Sequence, residues 1–261
     1  MTAHVIVPLD GSDLSETALP VAEQLRDGLE GPITLLTSGW GSTITELEDY
    51  LGANAAMLAA PCSTKVVPDT FPATAITESL TSPDDIVVMA THGRSGIRRA
   101  LLGSVATDVL TRTDHTLVLL GPKSTGVTAI PGGTLLVTVD GSPRSAMILP
   151  TASRFARTLG MQVIVVTVGP PGGDDSAEEL ARAAAASVGF FRSEGGEATH
   201  RHLIGTDVVA TITALAEQLP AALIAMASHG RGGPGRAALG STTMKVVHTS
   251  SCPVIVERST S

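Results

Sequence analysis

The chain has 261 residues, a formal net charge of −8, and only one Trp, one Tyr and four Phe. That length suits two domains of common size, and the acidic balance argues against general nucleic-acid binding and against a polybasic membrane-surface protein. So few aromatics leave no stacking platform for single strands. The core must then be Val, Leu, Ile and Ala, which suits buried parallel strands under Ala-rich helices.

The start, Met1-Thr2-Ala3-His4, runs straight into Val5-Ile6-Val7. It has no charged region and no cleavage site, which predicts a cytosolic chain without a secretory signal. No apolar run reaches ~18 residues, so no spanning helix is expected. Cys62 and Cys252, far apart, read as reduced thiols and give no metal-type Cys/His spacing.

Residues 5–9 read as a first buried strand, and Asp10-Gly11-Ser12 as the turn after it. Apolar spacing then predicts helices over 15–26, 43–60, 72–80 and 104–111, and strands over 33–37, 63–67, 85–89 and 116–120. Residues 121–133, rich in Gly, Pro, Ser and Thr, read as a linker. The order then repeats. Strands are predicted over 134–139, 162–168, 197–203, 221–226 and 253–257, and helices over 146–159, 177–191, 207–218 and 241–248. Asp140-Gly141-Ser142-Pro143 is the matching first turn. Two domains, 1–122 and 133–261, follow from the repeat.

Alternating strands and helices predict two tandem doubly wound α/β domains, each a parallel sheet with helices on both faces. Ligands of such sheets sit outside the carboxyl ends of the strands, at a switch point. A 3-2-1-4-5 strand order would bring the turn after strand one beside the loop after strand four.

That loop is the most informative stretch. It reads Ala90-Thr91-His92-Gly93-Arg94-Ser95-Gly96 through Gly103-Ser104, and again Ala227-Ser228-His229-Gly230-Arg231-Gly232-Gly233 through Gly240-Ser241. Glycines allow tight turning and close ligand approach. The closing Gly-Ser predicts a serine N-cap, with free N–H groups and the positive helix end facing an anion such as phosphate. Arg94, Arg98 and Arg99, or Arg231 and Arg236, add positive charge, unless they form only a solvated face. No Lys follows the last glycine, so this is not a Walker A loop. It follows the fourth strand, so it is not the dinucleotide fingerprint either. Neither copy contains Gly-x-Ser-x-Gly, so a hydrolase nucleophile elbow is not supported.

Plainer roles compete with each of these. The loops are also explained as tight strand–helix turns, Asp10 and Asp140 as helix N-caps, and His92 and His229 as neutral turn residues. Trp40, just past strand two, reads as a packing residue before a platform for a base, and Cys252 as core filler.

The motif small-x2-Gly-x9-Gly-[Ser/Thr] after strand four, with an Asp ending strand one, resembles the universal stress protein family in its tandem form. The resemblance spans about 3–121 and 133–258. It implies a five-stranded parallel sheet of order 3-2-1-4-5 in each half, and binding of ATP, AMP or cyclic AMP, a triphosphate with or without Mg²⁺. The residues implied for the nucleotide are Pro8, Asp10, Ser38, Ala90, Gly93, Arg94, Gly96, Gly103 and Ser104 in the first half. In the second they are Asp140, Val168, Ala227, Gly230, Arg231, Gly233, Gly240 and Ser241. Asp10 and Asp140 would meet ribose or adenine, Ser38 and Val168 the adenine edge, and the Gly-Ser pairs the phosphates. Family ATP binders often carry Gly where Ala90 and Ala227 stand, and Thr138 replaces the family-like Pro8. Association through the last strand is a family habit. It implies an internal pseudo-dimer, and a homodimer beyond it.

The leading expectation is a stress-response nucleotide sensor that engages a protein partner. No base is placed for an attacking water, and no acidic cluster is suited to Mg²⁺, so slow ATP hydrolysis is the most that is expected of it as an enzyme. A scaffold that has lost nucleotide binding is the alternative. An ATP pyrophosphatase or nucleotidyl transferase is disfavoured, because Asp10 and Asp13 would repel phosphate at the first turn.

Overall fold

The computed structural model describes residues 3–39, 42–91, 103–124, 129–172, 175–229 and 239–258. In the first half, β1 (Val5–Pro8), β2 (Ile33–Gly39), β3 (Cys62–Pro68), β4 (Ile86–Ala90) and β5 (Thr116–Leu120) alternate with helices. These are α1 (Asp13–Glu16), α2 (Ala18–Leu29), α3 (Ile44–Ala55), α4 (Pro72–Thr77) and α5 (Ser104–Arg112). The second half repeats the series. Its strands are β6 (Thr134–Thr138), β7 (Gln162–Gly169), β8 (Ala198–Ile204), β9 (Leu223–Ala227) and β10 (Val254–Glu257). Its helices are α6 (Pro143–Ala146), α7 (Leu149–Leu159), α8 (Asp175–Ser193), α9 (Val208–Gln218) and α10 (Ser241–Thr249).

Among the described residues the ten strands form one sheet, ordered β3-β2-β1-β4-β5-β10-β9-β6-β7-β8. Each half therefore has the 3-2-1-4-5 order, parallel throughout. The halves join where β5 and β10 pair antiparallel: Leu117 with Val256, Val118 with Ile255, Leu119 with Val254. Val118 and Ile255 occupy the same place in the two repeats, so a local two-fold axis passes through their pairing.

Alternate strand residues point to opposite faces. Val5, Val7, Val118, Val137 and Ile255 pack on one side with Leu25 of α2 and Phe155 of α7. Ile6, Val87, Leu119, Leu136 and Val254 pack on the other with α4, α5, α9 and α10. Each apolar layer runs through both halves. The connector is tied in as well, since the backbone N–H of Ile130 donates to Gln24 Oε1 at 2.7 Å.

Two predicted helices are broken. The stretch 15–26 and its counterpart 146–159 each fall at a joint between a short helix and a longer one, α1–α2 and α6–α7. Pro20 and Pro150 have no N–H to give the carbonyls of Glu16 and Ala146, so the ladder must restart. At the joints Thr17 N–H reaches Leu14 O, and Met147 N–H reaches Arg144 O, both at 3.2 Å. Among the described residues no helix is long and apolar enough to cross a membrane.

Candidate functional site

The site is built first from the turn after β1. Asp10 Oδ1 accepts the Ser12 N–H at 3.0 Å and the Ser12 hydroxyl at 2.6 Å. Ser12, not Asp10, caps α1, its hydroxyl accepting the Ser15 N–H at 3.2 Å. The same holds for Asp140 and Ser142 before α6. The N-cap role open to the two aspartates thus belongs to the serines, and the aspartates close the turns. Tyr50 of α3 donates to Glu16 at 3.1 Å and braces α1. Burial pushes its phenol up to about 12, so it stays a donor.

The neck of the glycine loop comes next. Gly103 N–H donates to Thr91 O at 2.7 Å, and Thr91 N–H to Leu120 O at 2.9 Å. In the second half Gly240 N–H donates to Ser228 O, and Ser228 N–H to Glu257 O, both at 2.7 Å. The helix starts differ from expectation. The N-caps are Gly103 and Gly240, with no side-chain cap bond, and Ser104 and Ser241 are already the first helical residues. The bond across the neck fixes the glycine outside the helix and carries the serine into the first turn. Nor do these glycines serve a positive φ, since theirs are −57° and −64°. Gly240 is required by closeness: a Cβ there would lie 2.9 Å from Ser228 O. Among the described residues no side chain caps α5, and its first turn holds no acidic residue, so its start carries the positive end of the helix.

Between the turn and the neck lies a cavity of about 300 Å³ at the carboxyl ends of β1 and β4, within the range of small-molecule sites. Six predicted residues line it together: Pro8, Asp10, Ser38, Ala90, Gly103 and Ser104. Pro72 and Ile76 of α4, with Thr91, Val105 and Ala106, also line it, and sequence reasoning missed them. A signal existed. The β3–β4 crossover must pass over β2 and β1, which lays α4 across the crevice mouth. Gly93, Arg94 and Gly96, with His92, Arg98, Arg99 and Trp40, lie outside the described residues, as do Gly230, Arg231, Gly233 and Arg236.

In the second half Asp140, Val168, Ala227, Gly240 and Ser241 occupy the equivalent strand ends and helix start. There Thr243 donates to Ala227 O at 3.0 Å. The His229 ring is buried, with Nδ1 3.2 Å from the Ser228 hydroxyl. Cys252 is buried, as expected of core filler.

Fold and crevice define a doubly wound α/β protein whose strand series is present twice in one sheet, with a cavity at the strand-order switch of the first half. The model of the Universal stress protein family matches residues 45–120 and 133–258, and the chain belongs to that family. A universal stress protein of Mycobacterium tuberculosis is 28% identical over 183 residues, 67% of this chain and 62% of that protein. The aligned part therefore spans less than two thirds of that relative. A solved universal stress protein from Archaeoglobus fulgidus superposes with a TM-score of 0.73 at 23% identity, covering 98% of both chains. A protein of unknown function from Pseudomonas aeruginosa gives 0.70 at 17% identity, covering 99% of this chain and 93% of its own. These two structures share the fold.

Proposed function

We propose that this chain binds an adenine nucleotide in the first-half crevice, with a second site at the matching place in the other half. It acts as a ligand-responsive, partner-engaging stress protein of two domains, 1–122 and 133–261. The observation that carries this reading is the cavity between the Asp10 turn and the uncapped start of α5. Its chemistry is divided as a nucleotide requires. Pro8, Leu36 and Ile76 offer an apolar slot for a flat base, with Ser38 at its edge. Asp10 suits a ribose hydroxyl. Gly103, Ser104 and the first N–H groups of α5 suit phosphate. When bound, the nucleotide supplies the charged group that the helix start is built to receive. Among the described residues no three His, Cys, Asp or Glu side chains gather to hold a metal. Mg²⁺ would therefore arrive on the phosphates rather than on a protein cluster.

The test is mass analysis of small molecules released from freshly purified protein, followed by calorimetric titration with ATP, AMP and cyclic AMP. One or two equivalents of adenine nucleotide per chain are expected. Gly103→Val, which fills the phosphate end of the crevice, abolishes binding in the first half and lowers a two-site stoichiometry to one. Full stoichiometry in Gly103→Val sinks the proposed site. No released nucleotide and no heat of binding would favour the scaffold reading, for which the β5–β10 join already provides the frame.

A further inference from the structure

We infer that the outer strand of the second half carries a binding site for one divalent transition-metal ion of the zinc–copper class, formed by His200 and His202. The two histidines are two apart on β8, so they share a face. The register sets His200 beside Val165 and His202 beside Thr167. Their ring nitrogens converge on one atom: His200 Nε2 lies 3.0 Å from Thr167 Oγ1, and His202 Nδ1 lies 2.9 Å from it. Thr167 itself is fully buried, so the strand face holds this point in place.

Imidazole is a ligand through either nitrogen when neutral. A metal–imidazole bond is about 2.0–2.1 Å long. An ion held by both nitrogens takes that bond length from each, beside the Thr167 hydroxyl on which they converge. The side chains are exposed on an edge strand, so rings and ion have access to solvent. Among the described residues no third His, Cys, Asp or Glu completes a cluster. Water fills the remaining positions, and the site exchanges its ion readily.

A second feature shows that the ring position is accommodated. A Cβ on Gly169 would lie 2.9 Å from His202 Cε1 and 3.2 Å from Nε2, so glycine makes the seat for that ring. The first half supplies the contrast. Its register puts Thr64 and Val66 where the histidines stand, and Thr37, the counterpart of Thr167, donates instead to Leu9 O at 2.8 Å. A Cβ on Gly39, the counterpart of Gly169, would meet nothing within 4 Å. Among the described residues the pair occurs once, so one ion per chain is expected.

The experiment titrates the full chain, freed of metal by chelator, with Zn²⁺ alone and with Cu²⁺ alone. Uptake of one ion per chain is expected, with Cu²⁺ tighter than Zn²⁺ in line with the usual order for nitrogen sites. His200→Asn and His202→Asn should each weaken binding by at least about tenfold, the least expected when even a supporting group is lost. In the unaltered protein, nitrogen-detected NMR should show Zn²⁺ shifting His200 Nε2 and His202 Nδ1. No uptake, undiminished affinity in either variant, or shifts confined to other histidines would each overturn the assignment.

Discussion

The two halves repeat the turns and loop necks at their strand ends more faithfully than the residues around them. Asp10 and Asp140 hold their turns with bonds of 3.0 and 2.6 Å in one half, 2.9 and 2.6 Å in the other. Ser15 and Ser145 donate to the carbonyls of Ser12 and Ser142, both at 2.8 Å. The loop necks close at 2.7 Å in each. Lining positions differ: Pro8, Ser38, Pro72 and Ala106 correspond to Thr138, Val168, Val208 and Thr243. The difference separates two kinds of constraint. Residues that close a turn by bonding its own backbone have few replacements, since only a short side chain with an acceptor reaches the N–H two residues on. Residues that face the open space at the strand ends are held by no such bond, and vary.

The junction gives the sharpest test of this comparison. If the halves form one body, Ile255→Asp should be the most damaging change. It puts an unpaired charge on a fully buried side chain at the pseudo-axis, opposite Val118. The expected loss exceeds about 4 kcal/mol, read as failure to fold or collapse of a single melting transition. Retention of one near-normal transition would show that the halves stand independently.

A smaller effect concerns an asymmetry at the same place. Glu257 Oε2 accepts from Thr116 and Thr151, each at 3.0 Å, beside the Arg154–Asp84 pair at 2.7 Å. Its counterpart in the first half is Leu120. Burial raises the Glu257 pKa above 4.5, against lowering by the two threonines and Arg154. Its folded pKa is thus above the unfolded one. The associated stability is present below 4.5 and is lost as pH rises through the folded value. Glu257→Gln keeps an acceptor for the threonines without the charge. It should therefore flatten that loss and raise the melting temperature at neutral pH by a few degrees, on the order of what about 1 kcal/mol gives. An unchanged pH profile would mean that Arg154 already cancels the burial.

The smallest effect compares helix ends. Both α2 and α7 close in the left-handed region, α2 on Glu30 at φ 52° and α7 on Gly160 at φ 63°. Non-glycine residues are strained there by about 1–2 kcal/mol. Gly160→Ala should cost about 1 kcal/mol and Glu30→Gly should recover up to about that much, measured by denaturant unfolding. Changes of the same sign in both variants would break the equivalence of the two caps.

The layout of strands and helices was legible because apolar runs and their spacing are local. The pairing of the repeats was legible because the two glycine loops share one internal spacing. The helix breaks before Pro20 and Pro150 were not, because apolar spacing runs through them unchanged and only the missing N–H interrupts the ladder. Ser104 and Ser241 looked like caps by residue type. They are carried into the helix by a bond across the loop neck, a contact between segments distant in sequence. The α4 side of the crevice was legible only through the strand order, whose crossover brings Pro72 and Ile76 to the cavity that Asp10 lines.

The antiparallel join of β5 to β10 has a consequence for inheritance. A dimer of identical chains must carry every change twice, so its two sites move together. Here the partners are one polypeptide, paired at any dilution because each is always within the other's reach. A substitution on one side leaves the other as it was. If both halves bind the proposed nucleotide, their sites are then free to settle at different affinities, and one molecule can answer it at two concentrations.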